Sequence, residues 1–283
     1  MKRKYSDLPD ARLVAYQADP SPIKRRAAAD VLVERGNTTI FNSSLELCRS
    51  ENPVLREQGA TILGRLGYPD SPEGDADWET AYTLLHAMAT RDPRAIVRAE
   101  SLRALAYCGA AFSVLQDAAE QGSRDKSPTV RVFAAYLLGH LHPLPGVGET
   151  VLRLLRDADK DVRDWTAYAI YNQVTFHNKE AAAYDSPEIR DELLRLTKDS
   201  HDWVNYEAFR ALGALREKRA APLLLGELGH EDEIDYDMAQ AAGRMGDPAL
   251  IPALEKALER FGDDYRESIK NALEQLRAET SGQ

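Results

Sequence analysis

Apolar and polar residues recur along this chain in a fixed phase, and the phase repeats eight times. Each unit centres on a polar residue: Arg25, Arg56, Arg98, Arg131, Arg163, Asn205, Asp235 and Arg266, at spacings of 31, 42, 33, 32, 42, 30 and 31 residues. Seven positions after each anchor stands Leu32, Leu63, Leu105, Leu138, Ile170, Leu212, Ala242 or Leu273. Counted from the anchor, positions 3, 4, 6, 7 and 10 are small or apolar in most units, as in Ala134, Ala135, Leu137, Leu138 and Leu141. This spacing is the buried stripe of an amphipathic helix. A second apolar stretch precedes each anchor, for example Leu152 to Leu155 and Leu193 to Leu196, so every unit reads as two antiparallel helices.

One helix pair cannot bury its own apolar face, so repetition at this period predicts a stack of pairs. The expected fold is all-α: a solenoid of about eight antiparallel helix pairs in a right-handed superhelix. It should form a single domain over residues 1–283, with repeats over about 20–277 and a frayed tail at 278–283. Two spacings exceed the rest by about ten residues, and the excess falls at about 68–79 and 175–187. Both stretches are expected to be inserted loops on one rim of the stack.

Two glycine columns refine the picture. Position 8 is Gly64, Gly139, Gly213 or Gly243. Glycine inside a helix costs about 1 kcal/mol against alanine, so a neighbouring helix should approach closely there. Position 11 is Gly36, Gly67, Gly109 or Gly246, which suits a helix end in the left-handed region. Six residues before the anchor stands Asp19, Asp92, Asp125, Asp157 or Asp199. Recurrent Asp and Arg at fixed offsets should pair between neighbouring units and satisfy helix ends, rather than bind phosphate. Asn205 and Asp235 replace arginine and should alter that ladder locally.

The Asp and Arg columns, the small and apolar stripe and the glycines together resemble HEAT repeats, particularly the short bacterial kind of the bilin (PBS) lyases. In HEAT stacking the second helix of each pair lines the concave side, which implies that positions 1, 2, 5 and 9 draw an inner surface. The end units place ordinary residues there, such as Ala27, Asp30 and Glu34, or Ser268, Asn271 and Gln275. The middle offers Arg103 and Tyr107, then Phe133, Tyr136 and His140, then Asp164, Trp165, Tyr168 and Asn172, then Tyr206, Glu207 and Arg210, with Tyr236, Asp237 and Arg244 beyond. Trp203, in the turn before the sixth anchor, either caps the same groove or packs between units. Tyr, Trp and Arg dominate binding hot spots because they bury much area and keep a polar handle. The alternative is that these rings cover small residues of their own helices.

Charge narrows the partners. With 46 acidic against 36 basic residues and a net charge of −10, non-specific nucleic-acid binding should be poor, whereas a basic protein partner would suit the surface. Cys48 and Cys108 read as core thiols of a reducing compartment. Met1-Lys2-Arg3-Lys4 is basic without the apolar run of a signal peptide, and no stretch has the length of a membrane span, so a cytoplasmic monomer is expected. No cofactor or metal is expected. His140 and His142 diverge on a helix, and His86, His177 and His201 stand alone. His230-Glu231 resembles one His-Glu pair of the HEAT-repeat deoxyhypusine hydroxylases, a family that needs four.

No nucleophile elbow, P-loop or dinucleotide fingerprint is present. The reading that follows is a non-catalytic protein-binding scaffold. Val162-Arg163-Asp164-Trp165-Thr166-Ala167-Tyr168-Ala169 sharpens it. That stretch resembles one in HEAT-repeat immunity proteins encoded beside Rhs-type polymorphic toxins, with conservative departures at Thr166, Ala167 and Tyr168. The resemblance implies a toxin partner, a basic nuclease domain among the options. The alternative is an enzyme: Trp165, Tyr168, Asp164 and Arg210 are also the inventory of HEAT-like alkylpurine DNA glycosylases, and bilin lyase activity is a second family possibility.

Overall fold

The computed structural model describes residues 5–67, 75–140, 143–229, 236–260 and 263–281. Among the described residues there are α-helices and short 3-10 turns, and no strand. In chain order the helices are α1 (Asp10–Ala15), α2 (Pro22–Arg35), α3 (Thr38–Cys48), α4 (Pro53–Leu66), α5 (Asp75–Arg91), α6 (Ala95–Leu105), α7 (Phe112–Gly122) and α8 (Pro128–His140). They continue as α9 (Gly148–Leu155), α10 (Lys160–His177), α11 (Pro187–Leu196), α12 (Asp202–Ala214), α13 (Ala221–Gly229), α14 (Tyr236–Met245), α15 (Ile251–Arg260) and α16 (Asp263–Ser281). Each even-numbered helix carries one anchor or begins beside it, so the eight sequence units are eight helix pairs.

The chain divides into two compact units, Met1–Leu137 and Leu138–Gln283. In the first, α2, α4 and α6 pack in sequence as one row, and α3, α5 and α7 as another. In the second, α10, α12, α14 and α16 make one row, while α9 packs on α11 and α13 on α15. Every position-7 residue, from Leu32 to Leu273, is buried. No helix among the described residues is long and apolar enough to cross a membrane.

The position-8 glycines sit where helices of one row touch. A Cβ on Gly139 would lie 2.9 Å from the Cα of Ala169, and one on Gly213 would lie 2.6 Å from the Ala241 carbonyl oxygen. In both cases the facing alanine is position 6 of the next unit, so two small columns interlock. The position-11 glycines end their helices at positive φ, from 50° at Gly36 to 70° at Gly246. Arg216 fills that place in the sixth unit and takes φ 55° despite its side chain.

The predicted ladder is present. Arg56 forks onto Asp92 at 2.6 and 3.1 Å, Arg98 onto Asp125 at 2.7 and 2.8 Å, and Arg163 onto Asp199 at 2.8 and 3.0 Å. The same guanidiniums donate backwards to carbonyls that end the preceding helix: Arg56 to Ser50, Arg98 to Asp92 and Arg163 to Asp157. Each aspartate also accepts the N–H two residues on, as Asp92 does from Arg94, which caps the turn into the next helix. Asn205, in place of arginine, still reaches back to the Thr197 carbonyl. Asp235 lies outside the described residues.

The second insertion differs from expectation. Instead of a rim loop over 175–187, α10 runs on to His177 and a 3-10 helix follows over Asn178–Tyr184. Ala181 and Tyr184 are buried, and the Tyr184 hydroxyl donates to the Leu138 carbonyl at 2.8 Å, as does the Gln173 amide. The insertion therefore satisfies the last turn of α8 and fills core. The first insertion lies outside the described residues over 68–74, and α5 begins at Asp75. Of the expected tail over 278–283, α16 covers residues up to Ser281, and 282–283 lie outside the described residues. Cys48 and Cys108 are free and buried, and burial pushes both thiols up to about 12.

Candidate functional site

The candidate surface residues fall on or beside even-numbered helices and gather in two groups, one in each unit. In the first unit Tyr107, at the turn ending α6, joins hydroxyls with Tyr136 of α8, and their rings lie 6.3 Å apart. Phe133 packs edge-on to Tyr136 at 6.1 Å. All three rings are half-buried. Arg103 bonds to Glu100 of its own helix at 2.8 Å, and Thr61 of α4 donates to the same carboxylate at 3.2 Å. This group is a tyrosine-rich patch whose charges are matched.

The second unit carries the denser group, built from α10, α12 and α14. Trp165 and Tyr168 meet edge-to-face at 5.6 Å, and both are half-buried. The Arg210 guanidinium carbon lies 5.9 Å from the Tyr168 ring and 4.0 Å from that of Tyr171, while that of Arg244 lies 5.1 Å from the Tyr171 ring. These are cation–π distances. The Tyr171 hydroxyl donates to Gln240 at 3.2 Å, and Arg244 donates to Thr175 at 3.3 Å. Tyr171 was not among the candidates. It stands at position 8 of the fifth unit, where four other units have glycine, and that break in the column was the available signal.

Three carboxyls surround this stack. Glu207 accepts from Arg210 at 2.6 Å through one oxygen, whereas its other oxygen is shut from solvent without a hydrogen-bond donor. Burial pushes the Glu207 carboxyl up to about 7, against the pull of Arg210, and the negative charges of Asp164 and Asp237 add to the rise. Asp237 lies 3.5 Å from the Nε of Arg210. Asp164 is half-buried, and burial with the nearby charge of Asp161 raises its carboxyl against the pull of Lys160 and Arg210. No described residue gives Asp164 a hydrogen bond or an ion pair.

The remaining candidates stand apart from the stack. Asn172 spends its amide on the Gly139 carbonyl at 2.6 Å and so serves the end of α8. His140, half-buried at that end, is held below the ordinary histidine value by burial. Trp203 is 70% exposed, with its ring 6.1 Å from Tyr206 of the same helix, so it does not pack between units. The side chain of Tyr236 lies outside the described residues, as do His142, His230 and Glu231. Among the described residues, no three His, Cys, Asp or Glu side chains converge as a metal site would.

Comparison with known proteins fits this architecture. Residues 9–106 match the family model of HEAT repeats. Protein YibA of Escherichia coli K12 is 29% identical over 274 residues, covering 95% of this chain and 91% of YibA. The X-ray structure of the E. coli YibA protein superposes with a TM-score of 0.79 at 28% identity, covering 98% of this chain and 95% of the other. An archaeal HEAT-like repeats protein from Thermococcus onnurineus NA1 shares the fold at a TM-score of 0.50 and 14% identity, over 96% of this chain and 98% of that one. With HEAT repeats matched over residues 9–106, and with interlocked small columns and an Arg–Asp ladder, the chain has the fold of an all-α, HEAT-like solenoid.

Proposed function

We propose that this protein is a non-catalytic scaffold that grips a protein partner through the aromatic and charged face of α10, α12 and α14. The observation that carries the reading is the half-buried Trp165–Tyr168 pair beside Arg210 and Arg244. Rings held edge-on by their own helix lose little freedom when a partner covers them, which is what a hot spot requires. The net charge of −10 suits a basic partner. The sequence resemblance of the fifth repeat to Rhs-associated immunity proteins makes a basic toxin domain the partner we favour. A glycosylase is disfavoured, because three carboxyls around two guanidiniums leave no surplus positive charge for a phosphodiester.

The test is the double variant W165A/Y168A beside the wild type. Both should give the same helical circular dichroism and nearly the same melting curve. Proteins retained by immobilised wild type but lost by the variant are then identified and titrated, and the variant should bind weaker by about 2 kcal/mol, roughly thirtyfold. A variant that unfolds would make the rings core. A folded variant that retains every partner would remove the aromatic face from the binding surface.

A further inference from the structure

Resting on the scaffold reading, we infer that the Asp164–Trp165–Tyr168 face of α10 receives a lysine or arginine side chain of the protein partner, with Glu207 as the second negative charge behind it. Asp164 and Tyr168 are one helical turn apart and share a face, and Trp165 stands against Tyr168 at 5.6 Å. A cation there meets one carboxylate and the ring of Tyr168 or Trp165, the combination that recognises ammonium and guanidinium groups. The protein's own cations are committed elsewhere. Arg210 is held by Glu207, Asp237 and the Tyr171 ring, and Arg244 by Tyr171 and Thr175. Asp164 has no ion pair at contact distance among the described residues: Lys160 and Arg210 attract it only from further off, and burial outweighs them.

A charge balance says the same. Asp164, Glu207 and Asp237 all feel Arg210, while the charges of Lys160 and Asp161 beside Asp164 oppose each other, so the group carries an excess of negative charge when all three carboxyls ionise. The charged groups around Glu207 are Arg210 on its own helix, Asp164 and, through Arg210, Tyr171 on α10, and Asp237 on α14. With its carboxyl pushed up to about 7, Glu207 ionises within the physiological range. An incoming cation favours the ionised form, so docking should expel a proton and strengthen as pH rises.

The experiment uses 5-fluorotryptophan-labelled protein, with Trp165 assigned by loss of its signal in W165F. The probes are the peptides Gly-Arg-Gly and Gly-Lys-Gly, with Gly-citrulline-Gly as the neutral isostere. Both cationic peptides should shift the Trp165 resonance saturably, and citrulline should not. Affinity should rise by up to roughly tenfold from about pH 6 to about pH 8, the change in the ionised fraction of a group near 7. E207Q should flatten that dependence, and D164N should weaken binding several-fold, on the order of one lost charge-assisted contact. Equal response to citrulline and arginine, or no effect of D164N in folded protein, would overturn the inference. If the captured partner is lost by W165A/Y168A but indifferent to D164N, E207Q and pH, the scaffold reading stands and the cation site fails. If that partner is indifferent to W165A/Y168A as well, the scaffold reading fails with it.

Discussion

Asp199 and Glu207 flank the first turns of α12, yet their carboxyls are displaced in opposite directions. Burial opposes ionisation of Asp199, but the fork from Arg163 and the His201 N–H outweigh it and hold the group below its ordinary 3.8. That ladder rung therefore contributes stability above about pH 4 and loses it as pH falls through the lowered value. For Glu207 burial wins, and the folded chain keeps a proton that the unfolded chain releases above 4.5. Stability from this group is therefore lost as pH rises from about 4.5 to about 7, and is level beyond. E207Q removes the cost of ionisation. At about pH 8 it should stabilise the protein by on the order of 1–3 kcal/mol, read as a later urea midpoint, and at about pH 4 it should change little. An earlier midpoint at the higher pH would mean that the Arg210 bond outweighs burial after all.

At the level of the helix, one substitution should have opposite signs at two glycines. Gly139 faces the backbone of Ala169, so G139A forces α8 and α10 apart and should cost about 1–3 kcal/mol. A Cβ on Gly226 of α13 meets nothing within 4 Å, so G226A should stabilise by up to about 1 kcal/mol through helix propensity alone. Thermal melts of the two variants check both. The glycine and Arg–Asp columns were legible because a repeat states its interface several times over, each copy confirming the others. Tyr171 was not, because a residue that breaks a column in one unit looks like noise until its neighbours are placed. The stretch over 178–184 departs from the expected loop for a related reason: Ala181 and Tyr184 are core, but a short 3-10 segment has no 3.6-residue period to betray it. Among the proposed binding residues, the sequence indicated which helices carry the aromatics. It gave no sign that Asn172 serves a helix end, since that depends on where the Gly139 carbonyl lies.

Over the whole chain, stability should be local. Leu138 is fully buried, and its carbonyl takes bonds from Gln173 and Tyr184. L138D would bury an unpaired charge there, costing several kcal/mol, and hydrogen exchange should show protection lost in α8 and α10. L273D should fray α15 and α16 while α10 stays protected. Equal loss everywhere in both variants would indicate one indivisible core. The Arg–Asp ladder has a further consequence, for how such a chain is assembled over evolutionary time. Each rung joins an arginine to the aspartate of whichever unit comes next, across 36 residues for Arg56 and Arg163 and across 27 for Arg98. The joint is thus indifferent to the length and content of the segment between. Unequal recombination can add or delete a whole unit and leave two matching ends. The stack of Tyr171, Arg210 and Arg244 has no such freedom, because its members come from three consecutive units. A gain or loss of cassettes anywhere else leaves it whole, and one between α10 and α14 would abolish it.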